Sequence, residues 1–312
     1  MKTAVTIGGY GLGLLALFGA AFGVGAVLAP GTLADKPGAV SEDHGAMTAG
    51  GAAESAEPTP GGLVVSQDGY TLVLADRTLP AGAQVPLRFT VTGPDGSPVT
   101  AYRTEHDKEL HLIAVRRDLT DFQHVHPFRG ADGTWSVPLN LLSAGEYRIF
   151  ADFTPVGHDS GLVLGADLSV PGDYAPRPLP TPASTAELAD GYAVALQGAL
   201  VPGQSSGLTL TVTNDGAPVT DLDPYLAAYG HLVALRAGDL AYLHVHPAGE
   251  PGDGTTAAGP AITFDADVPT SGDYRLYLDF QHHGVVRTAA FTVHAGAPNP
   301  TAPTAPRHGE GG

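Results

Sequence analysis

The stretch Gly145–Phe153 reads GEYRIFADF, and Gly272–Phe280 repeats it as GDYRLYLDF. Residues at every second position of each stretch share one face: Tyr147, Ile149, Ala151 and Phe153 in the first, and Tyr274, Leu276, Leu278 and Phe280 in the second. A period of two buries one face of a β-strand and exposes the other to solvent. The chain is therefore predicted to contain the same strand twice.

Matching segments upstream show that the duplication covers most of the chain. Asp68-Gly-Tyr matches Asp190-Gly-Tyr, and Asp95-Gly-Ser-Pro-Val-Thr matches Asp215-Gly-Ala-Pro-Val-Thr. The two halves align along their length, and a Pro-rich connector separates them. Two copies indicate a tandem pair rather than a solenoid, which stacks more repeats.

Each half is predicted to form a β-sandwich. Short alternating segments separated by Asp-Gly and Pro turns, within about 105 residues, are typical of an antiparallel sandwich, with a small barrel as the alternative. We therefore expect an all-β fold with two tandem immunoglobulin- or cupredoxin-like antiparallel β-sandwich domains. The predicted segments are 1–30 (signal anchor or transmembrane helix), 31–62 (disordered linker), 63–170 (first β-sandwich repeat), 171–185 (Pro-rich linker), 186–294 (second β-sandwich repeat) and 295–312 (disordered tail).

Composition excludes several functional classes. The 312 residues carry a formal net charge of −17, which argues against binding to nucleic acid or to anionic lipid. Cysteine is absent, so thiolate zinc sites, iron–sulfur clusters, blue-copper centres, cysteine nucleophiles and disulfides are all ruled out. No G-x-S-x-G, phosphate-loop or H-E-x-x-H motif is present, so an enzyme is only the weaker alternative.

The N-terminus predicts a location outside the cytoplasm. A charge-free run follows Lys2 and is mostly apolar from Ala4 to Ala29, long enough as a helix to cross the ~30 Å hydrocarbon layer. A cleaved signal peptide, with a usual apolar region of ~7–15 residues, is the alternative, and Val24-Gly25-Ala26 offers a processing site. Both interpretations place the remaining chain on the far side of the cell membrane.

Each half also carries three histidines at one spacing, H-x12-H-x-H-P. They are His111, His124 and His126 in the first half, and His231, His244 and His246 in the second. Neutral imidazole is the commonest protein ligand for borderline transition metals. The repeated pattern therefore indicates a metal site in each half.

Strand geometry would bring the three rings together. If 111–116 and 121–126 form a hairpin that turns at Asp118-Leu119, His111 lies opposite His126, and His124 shares their face. Opposed Cβ atoms are ~4.5–5.5 Å apart, which imidazoles can span to one ion. The second half is expected to do the same, whereas a register slip of one residue would separate the rings.

Further ligands are expected after the Asp-Phe strand of each half. That segment contains His158 in the first half and His282 and His283 in the second. Asp152 and Asp279 precede these segments, either as partners that orient a histidine or as solvated acids. A structural histidine–carboxylate network remains open, because a buried unsatisfied polar group costs ~1–3 kcal/mol and a network removes that cost as a metal does.

On these motifs the chain resembles an uncharacterised group of secreted or membrane-tethered bacterial proteins with His-x-His-Pro and Gly-x-Tyr-Arg-x-x-x-Asp-Phe signatures. They are loosely labelled as heavy-metal- or copper-associated, so the resemblance implies copper and no defined activity. It covers about 63–294. Separately, His244-Val-His246-Pro-Ala-Gly-Glu250 matches half of a cupin metal motif, but the first copy has Gly130 in place of that Glu.

The main hypothesis is an extracytoplasmic, membrane-anchored protein that binds Cu(II) or Zn(II) through the histidine trio of each repeat, for sequestration, delivery or sensing. Its expected partners are the metal ion, the membrane through the N-terminal helix and an unidentified envelope protein, with no nucleic acid. Metal uptake is expected to weaken below pH ~6.5, where free imidazole becomes protonated. One alternative is a cell-surface β-sandwich interaction module without metal, and another is a cupin-like metalloenzyme.

Overall fold

The computed structural model describes residues 59–243 and 245–296. The predicted N-terminal helix, most of the tether and nearly all of the tail lie outside the described residues. Within the described part of the chain, no helix has the length and apolarity needed to cross a membrane. All of its regular elements are β-strands.

The first repeat contains nine strands: β1 (Ser66–Gln67), β2 (Tyr70–Leu74), β3 (Gly82–Thr92), β4 (Leu110–Arg116), β5 (Gln123–Val125), β6 (Phe128–Arg129), β7 (Trp135–Leu141), β8 (Gly145–Phe153) and β9 (Leu162–Val170). They form two antiparallel sheets with the orders β1-β2-β3-β7-β6 and β5-β4-β8-β9. Buried and exposed residues alternate along the whole of β7, as the period of two requires. Leu87, Trp135 and Tyr147 fill the core between the sheets.

The second repeat contains ten strands: β10 (Thr185–Glu187), β11 (Tyr192–Gln197), β12 (Gln204–Asn214), β13 (Ala217–Pro218), β14 (His231–Arg236), β15 (Tyr242–Leu243), β16 (Val245–Pro247), β17 (Ala261–Val268), β18 (Gly272–His282) and β19 (Val285–Ala295). The sheet orders are β10-β11-β12-β17-β16, with β13 on β12, and β15-β14-β18-β19. Leu210, Phe264 and Tyr274 occupy the core between them. The predicted all-β pair of tandem antiparallel sandwiches is confirmed.

Strand β4 is buried on both faces, unlike β7. Leu110, Leu112 and Ala114 pack into the core of the first repeat, whereas Ile113 and Val115 belong to a third apolar cluster that joins the two repeats. The members of this inter-repeat cluster are Ile113, Val115, Leu119, Phe150, Val233, Leu235, Leu240 and Tyr277. The two four-stranded sheets therefore pack against each other. His111 has the same parity as Ile113 and so faces the other repeat.

The chain before β1 touches both repeats. The Gly62 N–H donates to the Val163 carbonyl at 2.8 Å, and the Tyr242 N–H donates to the Gly61 carbonyl at 2.9 Å. The Arg148 guanidinium donates to the Gly62 carbonyl at 2.6 Å. Gly62 has φ +74°, and a Cβ built there would lie 2.3 Å from the Phe150 ring, so this close approach requires glycine.

We expect Gly62→Ala to lower the free energy of unfolding by about 2–3 kcal/mol, because it adds overpacking against Phe150 to the strain of a positive φ. Gly96→Ala is the matched control, since Gly96 has φ +77° with nothing within 4 Å of a Cβ. The control is expected to lose only about 1 kcal/mol. Urea unfolding of both variants measures the difference, and equal losses would remove the role assigned to the Phe150 contact.

Candidate functional site

The β4–β5 hairpin has the predicted register. Leu112 pairs with Val125 and Ile113 pairs with His124, so the continuation of the ladder sets His111 opposite His126. The turn closes at Leu119, whose φ is +64°. This confirms the hairpin geometry that the histidine spacing indicated.

The three rings of the first repeat meet at one point. His111 Nδ1 lies 3.2 Å from His124 Nε2 and 3.1 Å from His126 Nε2. All three nitrogens lie within 4.8 Å of one another. Two nitrogens that each lie ~2.0–2.1 Å from one ion would be ~2.9–3.4 Å apart at angles between a right angle and a tetrahedral one. The two distances from His111 Nδ1 therefore fit pairs of ligands on one transition-metal ion.

The far nitrogen of two rings is already engaged, which fixes the tautomers. His111 Nε2 donates to the Glu105 carbonyl at 3.1 Å, and His124 Nδ1 donates to Asp279 Oδ2 at 2.9 Å. With those protons placed, His111 Nδ1 and His124 Nε2 present lone pairs to each other. Carbonyl and carboxylate partners of this kind orient metal-ligating histidines.

Burial keeps the rings of His111, His126 and His231 neutral. Desolvation, with a smaller contribution from the neighbouring His124, lowers the pKa of His111 and that of His126 to about 3. Burial likewise lowers the pKa of His231 to about 4. Neutral imidazole is the form that ligates a metal, so no proton needs to be displaced from these rings at neutral pH.

The second repeat arranges its histidines differently. His231 Nε2 donates to the Tyr225 carbonyl at 2.9 Å, as His111 does to a carbonyl six residues earlier in the first repeat. His246 is exposed on β16, where it pairs with Asp265 in the opposite sheet, and His244 lies outside the described residues. In the second repeat the chain enters that sheet at Val245, before His246 and Pro247. In the first repeat the chain enters the corresponding sheet at Phe128, directly after His126 and Pro127.

The rings of both repeats share one cavity. Its volume is about 410 Å³, and His111, His124, Asp152, His231 and His246 are among the residues that line it. The His231 ring centroid lies 6.3 Å from that of His111 and 6.1 Å from that of His124. His106 also lines the cavity, with its ring 5.3 Å from His231. His106 has no counterpart in the second repeat, so the repeated histidine spacing does not indicate it.

Each strand aspartate lies opposite a histidine in the ladder. Asp152 pairs with His111 and Asp279 pairs with His231. Asp279 is buried, accepts from Thr288 at 2.5 Å, and bonds to His124 of the other repeat. Asp152 faces the cavity, where burial raises its pKa to about 6. A carboxylate of the second repeat therefore accepts a hydrogen bond from a histidine of the first. The sequence of one repeat does not indicate this contact.

The remaining candidate ligands lie elsewhere. The His158 ring bonds through Nδ1 to the Ser160 carbonyl at 2.7 Å and packs edge-on against Tyr70, apart from the trio. His282 and His283 form a separate group with Asp221. Glu250, the residue behind the cupin alternative, lies in an exposed turn.

The fold and the cluster define a tandem β-sandwich protein with a partly buried group of histidines between its repeats. A family model described as a domain of unknown function, DUF8832, matches residues 64–163 and again 186–297. The chain belongs to this family and carries its domain twice.

Solved structures that match the chain are distant. The Escherichia coli adhesin FdeC is 14% identical, with 74% of this chain and 65% of that chain covered and a TM-score of 0.24. InvD of Yersinia pseudotuberculosis is 17% identical, with 77% and 62% covered and a TM-score of 0.24. The chain thus spans just under two thirds of these two proteins. Comparison with curated proteins finds no match.

Proposed function

We propose that this protein binds a Cu(II)- or Zn(II)-like ion through His111 Nδ1, His124 Nε2 and His126 Nε2. The observation that carries the proposal is the approach of His111 Nδ1 to within 3.1–3.2 Å of a nitrogen on each of the other two rings, while the opposite nitrogens of two rings are held by a carbonyl and a carboxylate. All-nitrogen ligation favours these ions over magnesium or calcium.

Proton counting supports a cation at this point. His111 and His124 each place their one proton on an outer partner, so their facing nitrogens both act as acceptors. His126 can donate one hydrogen bond to His111, but that leaves His124 Nε2 with its lone pair directed at another acceptor. A metal ion accepts all three lone pairs at once, and it would lie in a site whose ligands are already oriented.

The proposed task is sequestration, delivery or sensing of the metal outside the cytoplasm, by a protein held at the membrane through residues 1–30. In the second repeat, His231, His244 and His246 are the equivalent residues by sequence, and a second ion there remains an expectation from the sequence. The described geometry supports the first-repeat site, which is the one to test.

Titration of the full chain with Cu(II) and with Zn(II) tests the proposal. We expect the double variant His124→Ala/His126→Ala to lose the tightest binding event, by roughly 100-fold or more in affinity, because two of three ligands are removed. His294→Ala is the control, since His294 is exposed and bonds Asp273 at 2.7 Å. Equal uptake by wild type and the double variant would overturn the assignment.

A second candidate is a cell-surface interaction module in which the histidines are structural. The observation in its favour is the His124–Asp279 pair, with both side chains at most 5% exposed, which joins the two repeats. A protonated His124 would donate to both Asp279 and His111 and would satisfy the pair without metal. This alternative predicts normal folding in a chelator and no rise in melting temperature on adding Cu(II) or Zn(II).

A further inference from the structure

We propose a second, separate metal site at the tip of the β18–β19 hairpin, formed by Asp221, His282 and His283. The site would bind a divalent transition-metal ion through two imidazoles and one carboxylate, a donor set suited to Zn(II) and Cu(II). One ligand atom from each residue lies within 4.8 Å of the other two. This site does not depend on the histidine trio.

The hairpin tip places the two histidines. His282 pairs with Val285, so His283 and Gly284 form a two-residue turn, with φ values of +54° and +71°. Turns of this kind need positive φ at both positions and favour Asn-Gly, so a histidine in the first position is strained. In that position the His283 ring stacks on His282, with centroids 3.8 Å apart. The strained residue, His283, is therefore the one that places a second imidazole beside that of His282.

Backbone contacts hold the third residue in place. The Asp223 N–H donates to the Gln281 carbonyl at 3.0 Å, and the Gly284 N–H donates to Asp223 Oδ2 at 2.8 Å. These two bonds fix the 221–223 segment against the hairpin tip. Asp221 Oδ1 consequently lies 3.1 Å from His282 Nε2.

A buried tyrosine orients the inner ring. His282 is 6% exposed, and its Nδ1 lies 2.6 Å from the Tyr192 hydroxyl. The Arg287 guanidinium covers the Tyr192 ring at 4.0 Å and donates to the His282 carbonyl at 2.9 Å. When Nδ1–H donates to the Tyr192 oxygen, Nε2 presents a lone pair toward Asp221, as a metal ligand must.

The site is open to solvent and distinct from the cavity. Asp221 and His283 are exposed, so an ion could enter directly. His282 shares the parity of Leu278 and Phe280, which face the core of the second repeat. Asp279 has the opposite parity and faces the trio across the repeats. The two groups therefore lie on opposite faces of β18.

His283→Asn tests this site, because asparagine suits the turn but removes an imidazole. Wild type, His283→Asn and the control His294→Ala are titrated with Zn(II) in the full chain, and repeated with the trio removed by His124→Ala/His126→Ala. We expect His283→Asn to weaken one Zn(II) binding event by at least ~10–100-fold. Its metal-free melting temperature should stay the same or rise, because the strain at positive φ is relieved.

The outcomes separate the two proposals. Retention of the His283-dependent event in the trio variant supports a separate site even if the trio binds no metal. Unchanged Zn(II) affinity in His283→Asn overturns the second site. If the metal-free melting temperature of that variant is also lower, the stacked pair is structural. Because His283→Asn alone decides the question in the wild-type background, a trio variant that fails to fold leaves the test intact.

Discussion

Tyr277→Ala is expected to lower the free energy of unfolding by about 3–5 kcal/mol, the usual range for deleting a buried aromatic ring. Tyr277 is 3% exposed and stacks on Phe122 of the other repeat, with centroids 3.9 Å apart and planes 4° from parallel. Its hydroxyl donates to the Leu119 carbonyl at 2.6 Å. One side chain thus combines apolar, stacking and hydrogen-bonded contacts between the repeats.

Tyr277→Phe separates these contributions. It keeps the ring on Phe122 and removes only the hydroxyl, so a loss of about 1–2 kcal/mol is expected for the Leu119 carbonyl left without its partner. Urea unfolding followed by fluorescence and circular dichroism measures both variants. A loss below about 1 kcal/mol for Tyr277→Ala would contradict the view that this contact joins the repeats into one folding unit.

Much of the fold could be predicted because it is encoded locally. The period of two in Gly145–Phe153 and its copy in Gly272–Phe280 reports a half-buried strand whatever surrounds it. The hairpin register follows once the turn is assumed at Asp118-Leu119, since opposed positions in a ladder have a constant sum, and the ladder has this register. These properties depend on neighbours close in sequence or on one pairing partner.

The packing of one repeat on the other could not be predicted in this way. Ile113 and Val115 look like core residues of their own sandwich, yet they pack against Val233 and Leu235. Alternation specifies which face of a strand is apolar but not which surface covers it. For the same reason Asp279, predicted to orient a histidine or to be solvated, could not be assigned to His124 in the other repeat.

The second repeat shows that the same histidine spacing can give a different arrangement of the histidine side chains. The pattern His231-x12-His244-x-His246 matches the first repeat residue for residue, but β16 begins at Val245 and carries His246 into the sheet that contains β17. The segment between β16 and β17 is also longer than the one between β6 and β7 in the first repeat. His282 and His283 were expected to add a further ligand to the trio of the second repeat, and the structure groups them with Asp221 instead.

Burial also changes the expected response to pH. The sequence suggested that metal uptake weakens below pH ~6.5, the range in which exposed imidazole is protonated. Burial lowers the pKa of His111 and His126 to about 3, so these ligands stay unprotonated well below that range. The pH dependence of the metal-free protein should appear in its stability, because the unfolded chain regains the ordinary pKa.

The metal-free protein is therefore expected to lose stability steeply between about pH 6 and pH 4. His111, His126 and His231 have folded pKa values of about 3, 3 and 4, below the unfolded value of ~6.5. In this window the unfolded state therefore binds more protons than the folded state, so stability decreases as the pH is lowered. Asp152 opposes them, because its folded pKa of about 6 lies above the unfolded value of ~3.9. The net uptake of two protons on unfolding corresponds to about 2.7 kcal/mol per pH unit.

Asp152→Asn isolates the opposing group. Without that carboxyl, unfolding takes up three protons in the same window, so the slope should steepen to about 4 kcal/mol per pH unit. At pH 7 the variant should be more stable than wild type by about 1–3 kcal/mol, because a carboxylate that is costly to ionise in the cavity wall has been removed. Urea unfolding in a chelator from pH 4 to pH 7.5 measures both proteins. A profile that stays flat across this range in wild type would show that burial does not keep His111, His126 and His231 neutral, and would contradict the view that His111 and His126 are preformed as neutral metal ligands.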